Sequence, residues 1–291
     1  MANAEIRGVE KERYGLGALF SGMSGKIGQV AAGCAIATTL TVGATGAADA
    51  AIWQSTNVQL LYGWDYTDTA PASAGGFQID SEDKFIITLE HADGWKYGDN
   101  YFFVDVNDPW QASGGGDRFY GEFSPRISPS TILTGAPISF GPVKDVMVAG
   151  TLEMGENTHA WLIGVGFPLD LPGFAFADLN VYARRSYSDF ANAWSTVGGQ
   201  VTIDWLYPFQ IGGTKWQFTG FLDYAFGENG GSNYKTSNII TEPQLLLDLG
   251  DLLFDTPDQL HVGVEYSIWD NKFGIDGADQ DTVQAMVKWT F

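Results

Sequence analysis

From residue 57 to Phe291 apolar and polar side chains alternate with a period of two in one segment after another, the spacing by which a strand sends successive side chains to opposite faces. Val58, Leu60, Tyr62, Trp64 and Tyr66 alternate with Asn57, Gln59, Leu61, Gly63 and Asp65. Phe85, Ile87 and Leu89 then oppose Ile86, Thr88 and Glu90, and Phe102, Val104 and Val106 oppose Tyr101, Phe103, Asp105 and Asn107. Phe119, Phe123 and Ile127 oppose Tyr120, Glu122, Ser124 and Arg126. The second half keeps the rule, with Leu179, Val181 and Ala183 against Asp178, Asn180, Tyr182 and Arg184, and Val201, Ile203 and Trp205 against Gln200, Thr202 and Asp204. It ends with Val283, Ala285, Val287, Trp289 and Phe291 on one face and Thr282, Gln284, Met286, Lys288 and Thr290 on the other. The pattern predicts an all-β chain of about twelve antiparallel strands, each roughly ten residues long.

Amphipathic strands of this kind suit either a soluble sandwich, apolar faces inward, or a transmembrane barrel, apolar faces toward lipid. A last strand ending on an aromatic resembles the terminal strand of bacterial outer-membrane barrels, and an even strand number is what a single-chain barrel with both termini on the periplasmic side requires. Closure also removes the unpaired edges that hydrocarbon does not tolerate. Residues 1–50 read as an export signal: Arg7, Lys11, Arg13 and Lys26 precede the apolar stretch Val30 to Val42, and Ala48-Asp49-Ala50 offers small-x-small cleavage. The expected organisation is therefore a signal over 1–50 and an outer-membrane β-barrel over 51–291. The only cysteine, Cys34, falls in the signal, so no disulfide can form within the chain.

Composition sharpens this picture. No uninterrupted apolar run is long enough for a helix across hydrocarbon, while 14% aromatic residues and 37 glycines suit aromatic girdles and wide loops. The formal charge of -20 excludes nucleic acid as a partner, because so negative a surface repels phosphate. Enzyme chemistry finds no credible set of groups: His91 is expected outward, His159 in a loop and His261 alone on the inner face, with no nucleophile and base placed together. The acids Asp105, Asp178, Asp204, Asp223 and Glu265 lie on separate strands without the ligand spacing of a calcium loop, so a solvated acidic lumen is expected and neither cofactor nor metal is assigned.

Within this frame, Gly121-Glu122-Phe123-Ser124-Pro125-Arg126-Ile127-Ser128 is followed by Ser139-Phe140-Gly141-Pro142-Val143-Lys144. With Trp53 to Tyr62, Leu89-Glu90, Leu171-Pro172 and Asn180-Val181-Tyr182-Ala183-Arg184, these segments resemble the Tsx-like family of nucleoside-specific channel-forming outer-membrane proteins. The resemblance covers most of residues 51–291. It implies a narrow outer-membrane channel for passive uptake of nucleosides and deoxynucleosides, without energy coupling. The loops between Asp65 and Ser81 and between Ala225 and Asn238 depart from the family pattern, which bears on the outer entrance and on any docking of phage or colicin there.

The residues themselves support a binding lumen. Glu90, Glu122 and Arg126 share the inner face with Phe103, Tyr120, Tyr182 and Phe221; ribose hydroxyls want charged or amide partners, and bases want aromatic walls. The candidate substrate-binding residues are therefore Glu90, Phe103, Glu122, Arg126, Tyr120, Tyr182 and, through the resemblance, Arg184. The competing readings are a brace, with Glu122 pairing Arg126 to stiffen the wall, a general small-solute porin, and a structural or phage-receptor barrel without nucleoside specificity.

Overall fold

The computed structural model describes residues 51–69, 78–80, 83–110, 118–189, 192–230 and 233–291; the expected export signal, residues 1–50, lies outside them. The long strands are β1 Trp53–Gly63, β2 Lys84–Trp95, β3 Gly98–Asn107, β4 Phe119–Ile127, β5 Met147–Gly155 and β6 Thr158–Pro168. They continue with β7 Phe176–Ser188, β8 Gly198–Ile211, β9 Thr214–Phe226, β10, β11 Leu260–Asp270 and β12 Gln280–Thr290. Strand β10 consists of Asn238–Thr241 and Gln244–Asp248. Its two pieces keep one register against β9 and β11, and the ladder lapses only at Glu242 and Pro243, where proline has no N–H to give.

Each strand pairs antiparallel with the next, and β12 returns to β1 with Asn57 opposite Thr290 and Gly63 opposite Gln284. The result is the expected closed barrel of twelve strands. Phe291 extends the seam by donating its backbone N–H to the Thr56 carbonyl at 2.9 Å. At the β8–β9 hairpin, Gly212 and Gly213 both take positive φ, 56° and 92°, the conformation a two-residue turn needs to match strand twist.

The burial pattern is inside out relative to a soluble protein, which decides against the sandwich. Asn57, Gln59, Asn180, Gln200, Ser267, Thr282 and Gln284 are buried, whereas Leu60, Val104, Ile163, Val165, Val181, Ile203, Val264 and Val283 are exposed. Each strand keeps the parity read from sequence, but past the end of β1 Tyr66 turns inward where the alternation places it outward, buried with its hydroxyl donating to Gln284 Oε1, because the strand stops at Gly63 and the period lapses there. The exposed apolar band is flanked by aromatics at both rims: Trp53, Phe176, Tyr207, Trp289 and Phe291 toward the chain termini, and Tyr62, Trp64, Phe119, Trp194, Tyr224 and Phe226 toward the other end. Amphipathic rings in those positions suit the two headgroup levels of a bilayer. His159 departs from expectation. It is the second residue of β6, stacked on Tyr187 at 4.9 Å within the rim cluster completed by Trp194, because the β5–β6 connection is shorter than the sequence suggests.

Ile163 sits mid-strand on the lipid face and is 67% exposed. Ile163→Arg should cost about 2–4 kcal/mol of folding stability in liposomes, the loss typical of a cation at the bilayer midplane, measured by denaturant titration with heat-modifiable gel mobility as the folding check. A neutral result would mean that this face does not meet hydrocarbon.

Candidate functional site

The ladder turns shared parity into neighbourhood. Asn57, Glu90, Phe103, Glu122 and Glu153 pair in one continuous row across β1 to β5, and Tyr120 follows one inward position away on β4. Four of the sequence-predicted residues therefore form one patch of wall. The Tyr120 hydroxyl donates to Glu122 at 2.6 Å, and its ring lies 5.8 Å from that of Phe103, which in turn lies 6.0 Å from Tyr101. Glu90 is more fully engaged: Asn57 donates to it at 2.6 Å, Tyr101 at 3.1 Å, Gln59 at 3.3 Å and Lys288 at 3.4 Å. Glu90 thus ties β1, β2, β3 and β12 together beside the seam, whereas Glu122 accepts from Tyr120 and lies between Phe103 and Glu153 across the ladder.

The brace between Glu122 and Arg126 does not form. Four residues along one strand separate their Cα atoms by about 13 Å, so the near neighbours of each lie across the ladder instead. Arg126 makes a two-pronged bond to Asp99 on β3 at 2.7 and 2.8 Å, and pairs with Asp178 on β7 at 3.1 Å. It reaches β7 because the intervening inward positions on β5 and β6 are Ala149, Gly164 and Gly166. A Cβ on Gly166 would meet Asn180 Oδ1 at 2.6 Å and Arg126 Cδ at 3.2 Å. Arg184 behaves similarly, spanning β6 to hold Glu153 with two nitrogens while also donating to Gln200 at 2.7 Å and Glu228 at 3.3 Å. Both arginines are engaged in the wall, a different setting from the open lumen side chains the sequence suggests.

Tyr182 is likewise part of the wall. At 7% exposure it packs with Ala149, Ala160 and Leu162, so its ring is a lining layer between strands more than a free stacking face. Inward-facing acids without an ion-pair partner among the described residues include Asp105, Glu122, Asp204, Asp223, Glu242 and Glu265. Neutral donors hold them: Thr88 bonds Asp105 at 2.6 Å, Asn180 bonds Asp204 at 3.3 Å, Thr202 bonds Asp223, Ser267 bonds Glu242 at 2.8 Å, and Gln244 and Gln284 bond Glu265 at 2.7 Å. The sequence parity marked most of these as inward but not their amide and hydroxyl partners, whose identity depends on register. Toward the seam, Leu61, Leu246 and Met286 form an apolar layer with Ile86 against it.

At the rim remote from the termini, Glu228 in the β9–β10 connection is buried. It accepts from Ser195 Oγ at 2.7 Å and from the Ser186 backbone N–H at 2.9 Å, with Arg184 and Lys235 nearby. Burial opposes its charge, but Arg184 and Lys235 together with the hydroxyl and amide donors outweigh that and hold the carboxyl below its ordinary range. A depressed folded-state value means that this latch stabilises the folded rim above the ordinary carboxylate range and is lost as pH falls through the folded value.

Glu228→Gln should accordingly speed protease cleavage in the 188–197 connection at pH 7, and the difference from the parent should vanish once acid protonates Glu228. Gly166→Ala should destabilise the barrel by about 1–3 kcal/mol through overpacking. Ala at Gly150, where the nearest atom to a new Cβ is the Leu162 carbonyl oxygen at 3.6 Å, is the matched control. Equal denaturant midpoints for the two variants would show that Arg126 is not confined over Gly166.

Comparison with known proteins meets this geometry from another side. The model of the family described as nucleoside-specific channel-forming protein, Tsx, matches residues 60–290, from β1 to the last residue of β12. Over 137 residues the chain is 30% identical to outer membrane protein OmpK of Vibrio parahaemolyticus, covering 44% of this chain and 50% of OmpK. Over 168 residues it is 27% identical to the nucleoside-specific channel-forming protein Tsx of Salmonella typhimurium, covering 51% of this chain and 58% of Tsx. The chain thus spans about half the length of the curated relatives it matches. Among solved structures, the KdgM porin aligns over 81% of this chain and 99% of its own with a TM-score of 0.44 and 11% identity, and the NanC porin over 80% and 100% with 0.45 and 10%. A barrel that shows apolar side chains outward along every strand and matches the family model over nearly all of its described length resides in the outer membrane and belongs to the Tsx family of nucleoside-specific channel-forming proteins.

Proposed function

We propose that residues 51–291 form a passive outer-membrane channel that admits nucleosides, with residues 1–50 acting as the export signal. The family description supports the substrate class, and the row Glu90, Phe103, Glu122 with Tyr120 supports the place. The observation that carries the reading is Glu122. Its carboxylate takes one hydrogen bond, from Tyr120, and adjoins the Phe103 and Tyr120 rings without an ion-pair partner among the described residues. A carboxylate beside aromatic faces matches a ribose, whose hydroxyls donate, joined to a flat base, which stacks. Glu90 contributes by holding the seam side of the row, Arg126 and Arg184 by fixing the adjoining wall from β3 to β7, and Tyr182 by packing within that wall.

The acids without cation partners give this lumen a negative field, so charge would sort solutes before shape does. The same field favours a second reading, a general pore for small neutral and cationic solutes, in which Glu122 has no privileged role.

Current through the refolded protein in a planar bilayer, titrated with nucleosides, separates the two. Glu122→Ala should weaken nucleoside block by about 1–3 kcal/mol, the loss expected on removing a charged hydrogen-bond partner, with ion conductance retained. Phe103→Ala should weaken purine block more than uridine block, since the larger base loses more contact. Adenosine should permeate liposomes faster than its monophosphate. Block unchanged in both variants would leave the general pore standing, and equal permeation of adenosine and its monophosphate would remove the charge filter as well.

A further inference from the structure

At the end of the barrel that carries the chain termini, Asp248 closes β10, and the connection through the short helix Leu249–Phe254 brings Asp258 and His261 back beside it. One nitrogen of His261 and one oxygen from each aspartate lie within 4.8 Å of one another. Asp248 is buried, Asp258 is exposed, and His261 is only 1% exposed. Neither ring nitrogen of His261 has a hydrogen-bond partner among the described residues. A buried imidazole with both nitrogens unsatisfied is costly, and native interiors rarely leave such a group idle.

The surrounding bonds leave this trio room for a ligand. Asp248 Oδ1 accepts the Asp251 backbone N–H at 2.8 Å and Oδ2 accepts that of Asp258 at 2.9 Å, so each oxygen keeps a second lone pair. These two bonds fix the carboxylate's direction, as outer-sphere bonds do for metal ligands. Among the described residues Asp258 Oδ1 accepts a hydrogen bond from the Gln217 amide alone, at 3.4 Å. The nearby cations are engaged elsewhere: Lys215 by Asp251 at 2.7 Å, and Lys288, opposite His261 across the ladder, by Glu90 at 3.4 Å. A pocket of about 180 Å³ lined by Pro208, Phe209, Lys215, Gln217, Asp248 and Asp258 opens on the same place.

We propose that Asp248, Asp258 and His261 bind a divalent transition-metal ion of the zinc class. One imidazole with two carboxylates is a borderline donor set that suits zinc and not the all-oxygen preference of calcium or magnesium. Two ligands about 2.1 Å from one ion lie at most about 4.2 Å apart, so modest rotation of the exposed Asp258 side chain completes the set. Three protein ligands leave a fourth position for water, facing the pocket. The ion would tie the end of β10 and the β10–β11 connection to the second residue of β11 and neutralise two adjacent carboxylates at this mouth. Sequence parity placed His261 alone because Asp258 arrives by a turn and not along a strand.

Zinc titrated calorimetrically into the refolded protein in detergent should show one ion bound per chain at micromolar concentration. It should also raise the temperature at which the folded gel band converts to the unfolded one. Asp258→Asn, an exposed change that leaves the fold intact, and His261→Gln should each weaken binding about tenfold or more and abolish the thermal shift. His91→Gln, remote from the trio, should behave as the parent. No binding by the parent, or parental affinity in either folded variant, overturns the site; if His261→Gln does not refold, Asp258→Asn decides alone.

Discussion

Everything in this structure depends on the pairing of β1 with β12. In hydrocarbon a backbone N–H or C=O has no water to fall back on, and each unsatisfied group costs several kcal/mol. An open sheet of the same strands would present two such edges. Closure through Asn57 to Thr290 and Gly63 to Gln284 removes both, and the Phe291 amide continues the ladder to Thr56. Once the ring is closed, inward and outward become fixed properties of each residue. Even the lapse at Pro243 conserves the ring: Glu242 donates to the Phe221 carbonyl and Tyr266 to the Pro243 carbonyl, so the register runs on unbroken.

The inner surface is organised by unequal company among charges. Arg126, Arg184 and Lys288 each hold acids from one to three strands away, making patches of wall in which acids meet a cation. Other acids rest on threonine, serine, asparagine and glutamine alone. Neutral donors satisfy a carboxylate's lone pairs without cancelling its charge. The wall is therefore held by ion pairs in some patches and by neutral donors in others.

Much of the fold was legible in the sequence because a strand's two-residue period is a local property. The alternation at Val58, Leu60 and Tyr62 or at Val283, Ala285 and Val287 needs no partner to be read. The inward placement of Glu90, Phe103, Glu122, Arg126, Tyr120, Tyr182 and Arg184 came from the same signal. Who touches whom was not legible, since that depends on register, which alternation fixes only to within steps of two. Hence Arg126 was matched with Glu122 on its own strand, as a helix would allow, while the ladder gives it Asp99 and Asp178. Tyr182 was legible as inward but not as covered, because the small residues Ala149 and Ala160 that receive it belong to other strands. His159 lies in a strand for a simpler reason: the turn is confined to Glu156 and Asn157, so the strand resumes before His159 is reached.

The small inward residues of β5 and β6 carry a consequence for how such a barrel can diversify. Strand number and stagger set the diameter of the backbone ring, but the clear width inside it also depends on what projects from the wall. Over Ala149, Gly164 and Gly166 nothing of size projects, and the arm of Arg126 occupies that shallow trough lengthwise. Aperture and scaffold are therefore separable at Arg126: exchanging that arm would recalibrate the bore, while Gly164 and Gly166 beneath it, where a Cβ would press on the Val181 carbonyl and on Asn180 Oδ1, keep the ladder and the lipid-facing exterior as they are.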